Sequence, residues 1–557
     1  MDYYKKPIYK VGLFLFLLLV SSVVTYLYWV KYQSPIYGID DANIYFIYMR
    51  NLAYGHGFVY NMGGEHVEGF TSMLWVLIGS FFYLFTSKPQ EALLVFNIIL
   101  MTLAIWRACL FADSYFKDRR MISPYSIIIS GFILLIPGYV PWCTIVLMET
   151  GLWSCVLVFL FLGILQNYLE RRNNFTSIYI ILILLLLTRP EAYLWGLIAI
   201  SVQYFTLYFQ HNRSFKNGLR PTAISLLIFL GTIGALTLFR MIYFGYPFPN
   251  TYYAKVSADQ HSNLLEGKKY IQQYFKYYTP HIFLPIISVG LSIFVFIWSR
   301  KKGLILFVFP VIIAVTYLIP LYTGGDHFGL FRFIQPYIPF FSVFYVLAFF
   351  TLFPLKKWIW YVPVTASLIG IFFSCKMNFN NFIKNKNNIE IEFLIAQGET
   401  EYATDLNEFL KHQDPLPTYG VFVAGASAYT YKGNSIDLLG LNNIRMAHSS
   451  PIKTGLKNHG SFNKKVFYEQ MPDLFFCTRV YRDSSEFDMQ DLETFKNDGF
   501  IKDLFKGLMM EKKFNETYFP VFIFSKKDSR VLQTHTHQRF LDKLNTSVYW
   551  YERILLN

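Results

Sequence analysis

No feature limits the fold of this chain more than its long apolar runs, which recur from residue 8 to residue 375 with few charges inside them. They occupy residues 8–30, 71–87, 91–112, 124–140, 150–166, 176–188, 191–210, 222–244, 281–299, 303–321, 333–353 and 358–375. A helix needs roughly 20 apolar residues to cross a hydrocarbon core, and most of these runs are that long or nearly so. Of 557 residues, 54% are hydrophobic and only 15% are charged, which excludes an ordinary water-soluble enzyme and makes a bilayer the solvent. The expectation is a polytopic α-helical membrane protein.

The basic residues decide which way it threads. The net charge of +14 gathers at the ends of runs: Lys5, Lys6 and Lys10; Lys117, Arg119 and Arg120; Arg171 and Arg172; Arg213, Lys216 and Arg220; Arg300, Lys301 and Lys302; Lys356 and Lys357. That is the pattern of cytoplasmic loops rather than of a nucleic-acid surface, so no nucleic-acid partner is expected. With the N-terminus cytoplasmic, residues 31–70 lie outside while Arg171 and Arg172 lie inside, which requires an odd number of crossings where four runs intervene. The run 71–87, about 26 Å long as a helix, opens with Thr71, Ser72 and Trp75 and reads as re-entrant or interfacial. About eleven transmembrane helices remain, spanning the cytoplasmic (inner) membrane, and the C-terminal part emerges on its periplasmic or extracellular side. The first run lacks a small-residue cleavage site before Lys31 and reads as a retained helix. Cys109, Cys143, Cys155, Cys375 and Cys477 form no C-x-x-C pair, so neither a zinc site nor a disulfide framework is suggested.

Polar residues that collect on one side of a membrane protein carry the chemistry. The first outer loop, 31–70, holds Asp40 and Asp41 at the start of a short aromatic helix, then Arg50, Gly55-His56-Gly57 and Glu68. One aspartate can serve as a helix N-cap, and Asp40, the earlier, is the better placed for it, which leaves Asp41 unexplained. At spacings of four and seven, Asp41 shares a helix face with Tyr45 and Tyr48, a carboxylate and two phenols along one wall of a cleft. His56 is a ligand or base, or else only part of a turn whose glycines supply positive φ. In Thr188-Arg189-Pro190-Glu191 the arginine at a helix break can hold a phosphate bidentately or pair with its neighbouring glutamate. Asn250 and Lys255 lie among the aromatics of 247–255, and Gly324-Gly325-Asp326-His327 precedes Arg332.

These stretches, in order, resemble the GT-C membrane glycosyltransferases. The pattern is Asp40-Asp41-Ala42, Arg50-Asn51-Leu52-Ala53, Gly55-His56-Gly57, Val67-Glu68-Gly69 and Thr71, then Met148-Glu149-Thr150-Gly151, Thr188-Arg189-Pro190-Glu191, Pro249-Asn250-Thr251, Gly324-Gly325-Asp326 and Ile436-Asp437-Leu438-Leu439-Gly440. It is most similar to the mycobacterial terminal arabinofuranosyltransferase group and its bacterial relatives. The resemblance implies inverting transfer of a sugar from a polyprenyl-phosphate donor to a cell-envelope glycan or lipid acceptor. A carboxylate then takes the acceptor proton, and the matching positions are Asp41, with Asp40 beside it. It further implies cations for the departing phosphate, here Arg50, Arg189, Lys255, His327 and Arg332. Tyr45, Tyr48, His56, Glu68, Glu149, Asn250 and Asp326 complete the implied pocket. No cofactor and no metal ligand set is assigned, although Asp41 with Glu149 or Asp326 offers carboxylates to a divalent ion. The Trp-Trp-Asp tripeptide of oligosaccharyltransferase catalytic subunits is missing, which speaks against transfer of a preassembled glycan to protein.

After Cys375 the sequence turns rich in Asn and Lys, which divides a transmembrane catalytic domain, 1–375, from a soluble α/β domain, 376–557. Strands are expected at 419–424, 435–439, 473–477 and 521–525 and a helix at 399–411. Asp437, Asn442, Asn443 and His448 are candidates for an acceptor surface there. A transporter or flippase is the first alternative, but it should show internal repeats and polar residues at mid-membrane depth. A non-catalytic envelope assembly protein is the second, though it would have no need of the aspartates.

Overall fold

The computed structural model describes residues 6–118, 120, 123–210, 215–256, 259–278, 284–298, 300–352, 388–453, 460–481, 499–524, 531–545 and 552–555. Fifteen helices precede residue 353: α1 (Pro7–Tyr32), α2 (Asp40–Ala53), α3 (Met73–Phe85), α4 (Pro89–Phe116), α5 (Pro124–Leu135), α6 (Tyr139–Cys143), α7 (Thr150–Glu170), α8 (Thr176–Leu186), α9 (Ala192–Gln210), α10 (Phe215–Tyr243), α11 (Asn250–Lys255), α12 (Gln260–Tyr277), α13 (Leu284–Trp298), α14 (Arg300–Thr323) and α15 (Ile338–Leu352). Six described helices are long and apolar enough to cross a membrane, and five shorter apolar ones accompany them. Eleven of the twelve apolar runs are therefore helical; the twelfth, 358–375, and the division at 375 lie outside the described residues.

Local chemistry sets the helix ends. Proline stands in the first turn of α1, α4 and α5, where its missing N–H costs nothing. Ser72 and Ser123 cap α3 and α5 by accepting from Trp75 and Ser126 amides. The break after α8 falls where Pro190 cannot continue the hydrogen-bond ladder. Large apolar side chains point outward on α1 (Val11, Leu15, Phe16, Leu19) and α10 (Leu227, Leu230, Leu238, Ile242), an exposure tolerable in lipid and not in water. The chain is a multi-pass membrane protein.

Helix α3 is one of the shorter apolar helices and is tied down at both ends. At its start, Leu74 N donates to Leu187 O at the α8 break, 2.9 Å. Near its end, the Tyr83 hydroxyl meets that of Tyr429 at 2.9 Å, and Gln90 at the start of α4 donates to the same Tyr429 hydroxyl.

After residue 387 comes α16 (Asn388–Phe409), followed by a six-stranded mixed sheet in the order β2-β1-β3-β5-β4-β6. The strands are β1 (Tyr419–Val421), β2 (Ser435–Asp437), β3 (Leu474–Tyr481), β4 (Tyr518–Phe524), β5 (Val531–His537) and β6 (Glu552–Leu555); β2, β1 and β3 run parallel and the others antiparallel. The four expected strands are there, shifted by a few residues. The sequence reading lacked β5 and β6, because β5 reads Val-Leu-Gln-Thr-His-Thr-His and its register with β4 supplies what its hydropathy does not. Helix α16 begins eleven residues before the expected start at 399.

The first outer loop is bolted to this sheet domain. Tyr60 donates to Ala424 O at 2.6 Å, Asn61 exchanges bonds with Ser435 at 2.8 and 2.9 Å, and Tyr48 donates to Asn442 Oδ1 at 2.9 Å. Gly69 leaves room for the last contact: a Cβ there would stand 1.8 Å from Asn442 Oδ1 and 2.5 Å from the Tyr48 hydroxyl. Two regions this intimately joined share one side of the bilayer. In a cysteine-free background, Met62→Cys and Ile452→Cys, both more than half exposed, should react with an impermeant maleimide from the same side. Opposite reactivity of the two sites would contradict the packing.

Candidate active site

Helix α2 opens on two aspartates that the helix geometry sends in different directions, since successive residues are about 100° apart. Asp40 is not the N-cap: that position is Ile39, and Asp40 is the first helical residue. Its carboxylate instead accepts from the amides of Gly425 (3.1 Å) and Ala426 (2.6 Å), across the seam to the sheet domain. A side chain on Gly425 would come within 1.9 Å of the Asp40 carbonyl oxygen, so only glycine permits the approach. Burial pushes the Asp40 carboxyl up to about 7, against the lowering effect of the two amides. The capping explanation read from sequence is corrected accordingly: the amides Asp40 satisfies belong to another element.

Asp41 faces a different environment. Its Oδ2 lies 3.7 Å from Arg332 Nη1, and the side chain keeps 22% of its surface open. Arg332 donates through Nε to Asp326 Oδ2 at 2.9 Å and lies over the Phe328 ring at 4.4 Å. The turn that delivers it has positive φ at Gly324 and Gly325 and again at Leu330 and Phe331, a conformation that L side chains adopt at a cost. Arg189, at the α8 break, pairs with Glu149 and forks onto both oxygens of Glu191 at 3.2 and 3.0 Å. The pairing with Glu191 anticipated from sequence exists, but it is buried and shared with Glu149 rather than lying on the surface. The two arginine centres form one field, since Arg332 feels Asp41 and Glu149 as well as Asp326. Tyr45 adjoins them, its hydroxyl 3.0 Å from Thr71 Oγ1 and within the influence of Glu149 and Arg189.

Two further basic residues complete the group. Lys255, at the end of α11, is partly buried and near enough to Asp326 to favour its charged form, although burial raises that carboxyl overall. Half-exposed His327 stacks on Phe328 and lies 3.9 Å from Glu392 of α16. Asp41, Tyr45, Glu149, Arg189, Lys255, Asp326, His327 and Arg332 are thus brought together.

The remaining expected residues do other work. Tyr48 is on the same helix face as Asp41 but seven residues, about 10 Å, farther along the axis, where it meets Asn442 and Gly69. Arg50 lies over the Tyr429 ring at 4.7 Å and donates to the Tyr429 carbonyl, so it binds the sheet domain rather than a phosphate. Glu68 is fully paired with Arg240, at 2.8 and 2.9 Å. Asn250 donates to Gly440 O and Leu441 O. His56 is exposed in a turn bounded by Gly55 and Gly57, both at positive φ, as the turn explanation expects. Among the described residues no three acidic, histidine or cysteine side chains gather as a metal-binding group; Glu149 and Asp326 are engaged by arginines.

Sequence reasoning missed Glu392, Glu399 and Arg240. A charged residue inside an apolar run, as Arg240 is, announces a buried partner. Glu392 and Glu399 carry no such signal, because α16 reads as an ordinary amphipathic helix.

No protein-family model matches the chain, and no curated protein matches it in sequence. Solved structures do match in fold. ArnT from Cupriavidus metallidurans bound to undecaprenyl phosphate superposes with a TM-score of 0.51 at 11% identity, covering 94% of this chain and 98% of that one. The Archaeoglobus fulgidus oligosaccharyltransferase tethered to an acceptor peptide with an NVT sequon gives 0.49 at 12% identity, covering 97% and 75%. The architecture is that of the GT-C fold, a conclusion that the ArnT match carries.

Two measurements follow. Asp40→Ala orphans two buried amides and should destabilise the protein by roughly 1–3 kcal/mol for each, read as thermal unfolding in detergent. Glu392 and Glu399 are pushed up to about 8 from 4.5, by burial first and then by Asp41 and Asp40 respectively. The folded chain therefore binds more protons than the unfolded one between these values, and stability should fall as pH rises from about 4.5 to 8. The double variant Glu392→Gln/Glu399→Gln should flatten that slope; an unchanged slope would contradict the assignment.

Proposed function

We propose that this chain is a membrane glycosyltransferase that moves a sugar from a polyprenyl-phosphate donor to a cell-envelope glycan or lipid acceptor, with inversion. The observation that carries the reading is Asp41: a partly open carboxylate beside a field of buried arginine pairs, on a GT-C scaffold. In the proposed reaction the acceptor hydroxyl oxygen attacks the anomeric carbon while Asp41 takes its proton. The bond from that carbon to the phosphate oxygen breaks, and its electron pair leaves on the polyprenyl phosphate. Lys255 is the principal counter-charge for that phosphate, because among the described residues it forms no ion pair, whereas Arg189 and Arg332 already hold carboxylates. The undecaprenyl phosphate bound to ArnT supports this donor class. The first-loop sequence pattern supports kinship with the terminal arabinofuranosyltransferase group. The basic clusters support an inner-membrane protein with a cytoplasmic N-terminus and the sheet domain outside.

Asp41→Asn keeps the shape and removes the proton acceptor, so transfer by the purified protein from a polyprenyl-phosphate sugar should fall by about 10²–10⁴-fold with donor binding little changed. Near-normal turnover in that variant would remove Asp41 from the mechanism.

A further inference from the structure

The site contains buried acceptor atoms that the protein itself leaves unmet. Glu149 is 1% exposed and gives one oxygen to Arg189, while its Oε2 is buried without a hydrogen-bond partner among the described residues. Asp326 is 2% exposed and gives Oδ2 to Arg332, while its Oδ1 is likewise buried and unmet. Both carboxylates act on Arg332, so they belong to one site. A buried acceptor without a donor costs roughly 1–3 kcal/mol, and two such atoms beside one arginine amount to a demand for O–H or N–H groups from outside the chain.

The two arginines that hold these carboxylates are committed elsewhere. Arg189 uses Nε, Nη1 and Nη2 on Glu191 and Glu149. Arg332 places Nε on Asp326 and Nη1 near Asp41 and the Met148 sulfur. Among the described residues, Asp41, Glu149, Glu191 and Asp326 face Arg189, Arg332 and Lys255 as permanent cations, four carboxylates to three cations, so an additional negative charge beside Glu149 and Asp326 would meet repulsion in a poorly screened site. Resting on the glycosyltransferase reading above, we infer that the transferred sugar is a hydroxyl-donating unit without a carboxylate or other anionic group, held by Glu149 Oε2 and Asp326 Oδ1. The phosphate of the donor lies apart from these two atoms, toward Lys255. Selection works through unmet acceptors: a sugar hydroxyl supplies the missing proton, and a uronic acid carboxylate brings a third oxygen anion.

The test compares matched pairs of donors on the full-length protein in nanodiscs: undecaprenyl-phosphate esters of glucose and glucuronic acid, and of galactose and galacturonic acid, with undecaprenyl phosphate alone as the reference. The inference expects the reference to bind and each uronosyl ester to bind at least tenfold more weakly than its neutral partner. Glu149→Gln and Asp326→Asn turn an inward acceptor into a donor, so each should narrow that discrimination at least threefold. A purely structural role would weaken both esters of a pair alike. Uronosyl esters that bind as well as the neutral ones overturn the inference, as does loss of neutral-ester binding on adding EDTA, which would make the two oxygens metal ligands. Failure of undecaprenyl phosphate itself to bind would instead overturn the glycosyltransferase reading beneath it.

Discussion

A charge withdrawn from water at the edge of a bilayer is costly unless an opposite charge meets it with good geometry, and the half of this molecule that adjoins the sheet domain is arranged around that demand. Arg189 and Arg332 gather Glu149, Glu191, Asp326 and Asp41 into one field. The helix break at Pro190 and the left-handed turn through Leu330 and Phe331 exist to deliver these arginines. Local strain is tolerated there because removing either cation would leave carboxylates buried and uncompensated, at a cost of several kcal/mol.

A second set of buried polar contacts fixes the sheet domain over the first outer loop. Asp40 receives the amides of Gly425 and Ala426, Tyr48 and Asn250 reach the 440–442 turn, and Arg50 rests on Tyr429. Asp437 organises that turn from within by accepting from the amides of Leu439, Gly440 and Asn442. The same seam brings α16 and its Glu392 alongside His327. The sheet domain is therefore part of the wall of the site. Residues that looked like one constellation in sequence separate into the arginine-paired group around Asp41 and the contacts that hold the sheet domain against it.

The apolar runs declared the helices because lipid solvation leaves a long, unambiguous trace, and the break at Thr188-Arg189-Pro190-Glu191 was equally legible. Which aspartate faces which way was harder. Sequence placed Asp40 as a cap on local grounds, yet its partners, Gly425 and Ala426, lie some 385 residues away and announce nothing in the first loop. Tyr48 shares the face of Asp41 by periodicity but not its depth, and periodicity alone carries no axial information about a partner such as Asn442. His56 and Arg50 show the converse limit: a residue type suited to phosphate or proton chemistry was placed in a turn and against an aromatic ring. Strand β5 escaped because Thr and His alternate along it and only its pairing with β3 and β4 defines it.

The central claim is that the arginine-paired field around Asp41 is where a polyprenyl-phosphate donor reacts. The most direct measurement is an electron cryomicroscopy structure of the full-length protein in nanodiscs with undecaprenyl phosphate bound. The account predicts phosphate density against Lys255, on the side of the membrane that carries the sheet domain, with Asp41 open toward it. Phosphate density at the opposite membrane face, beside Asp113 and Lys117, would contradict it.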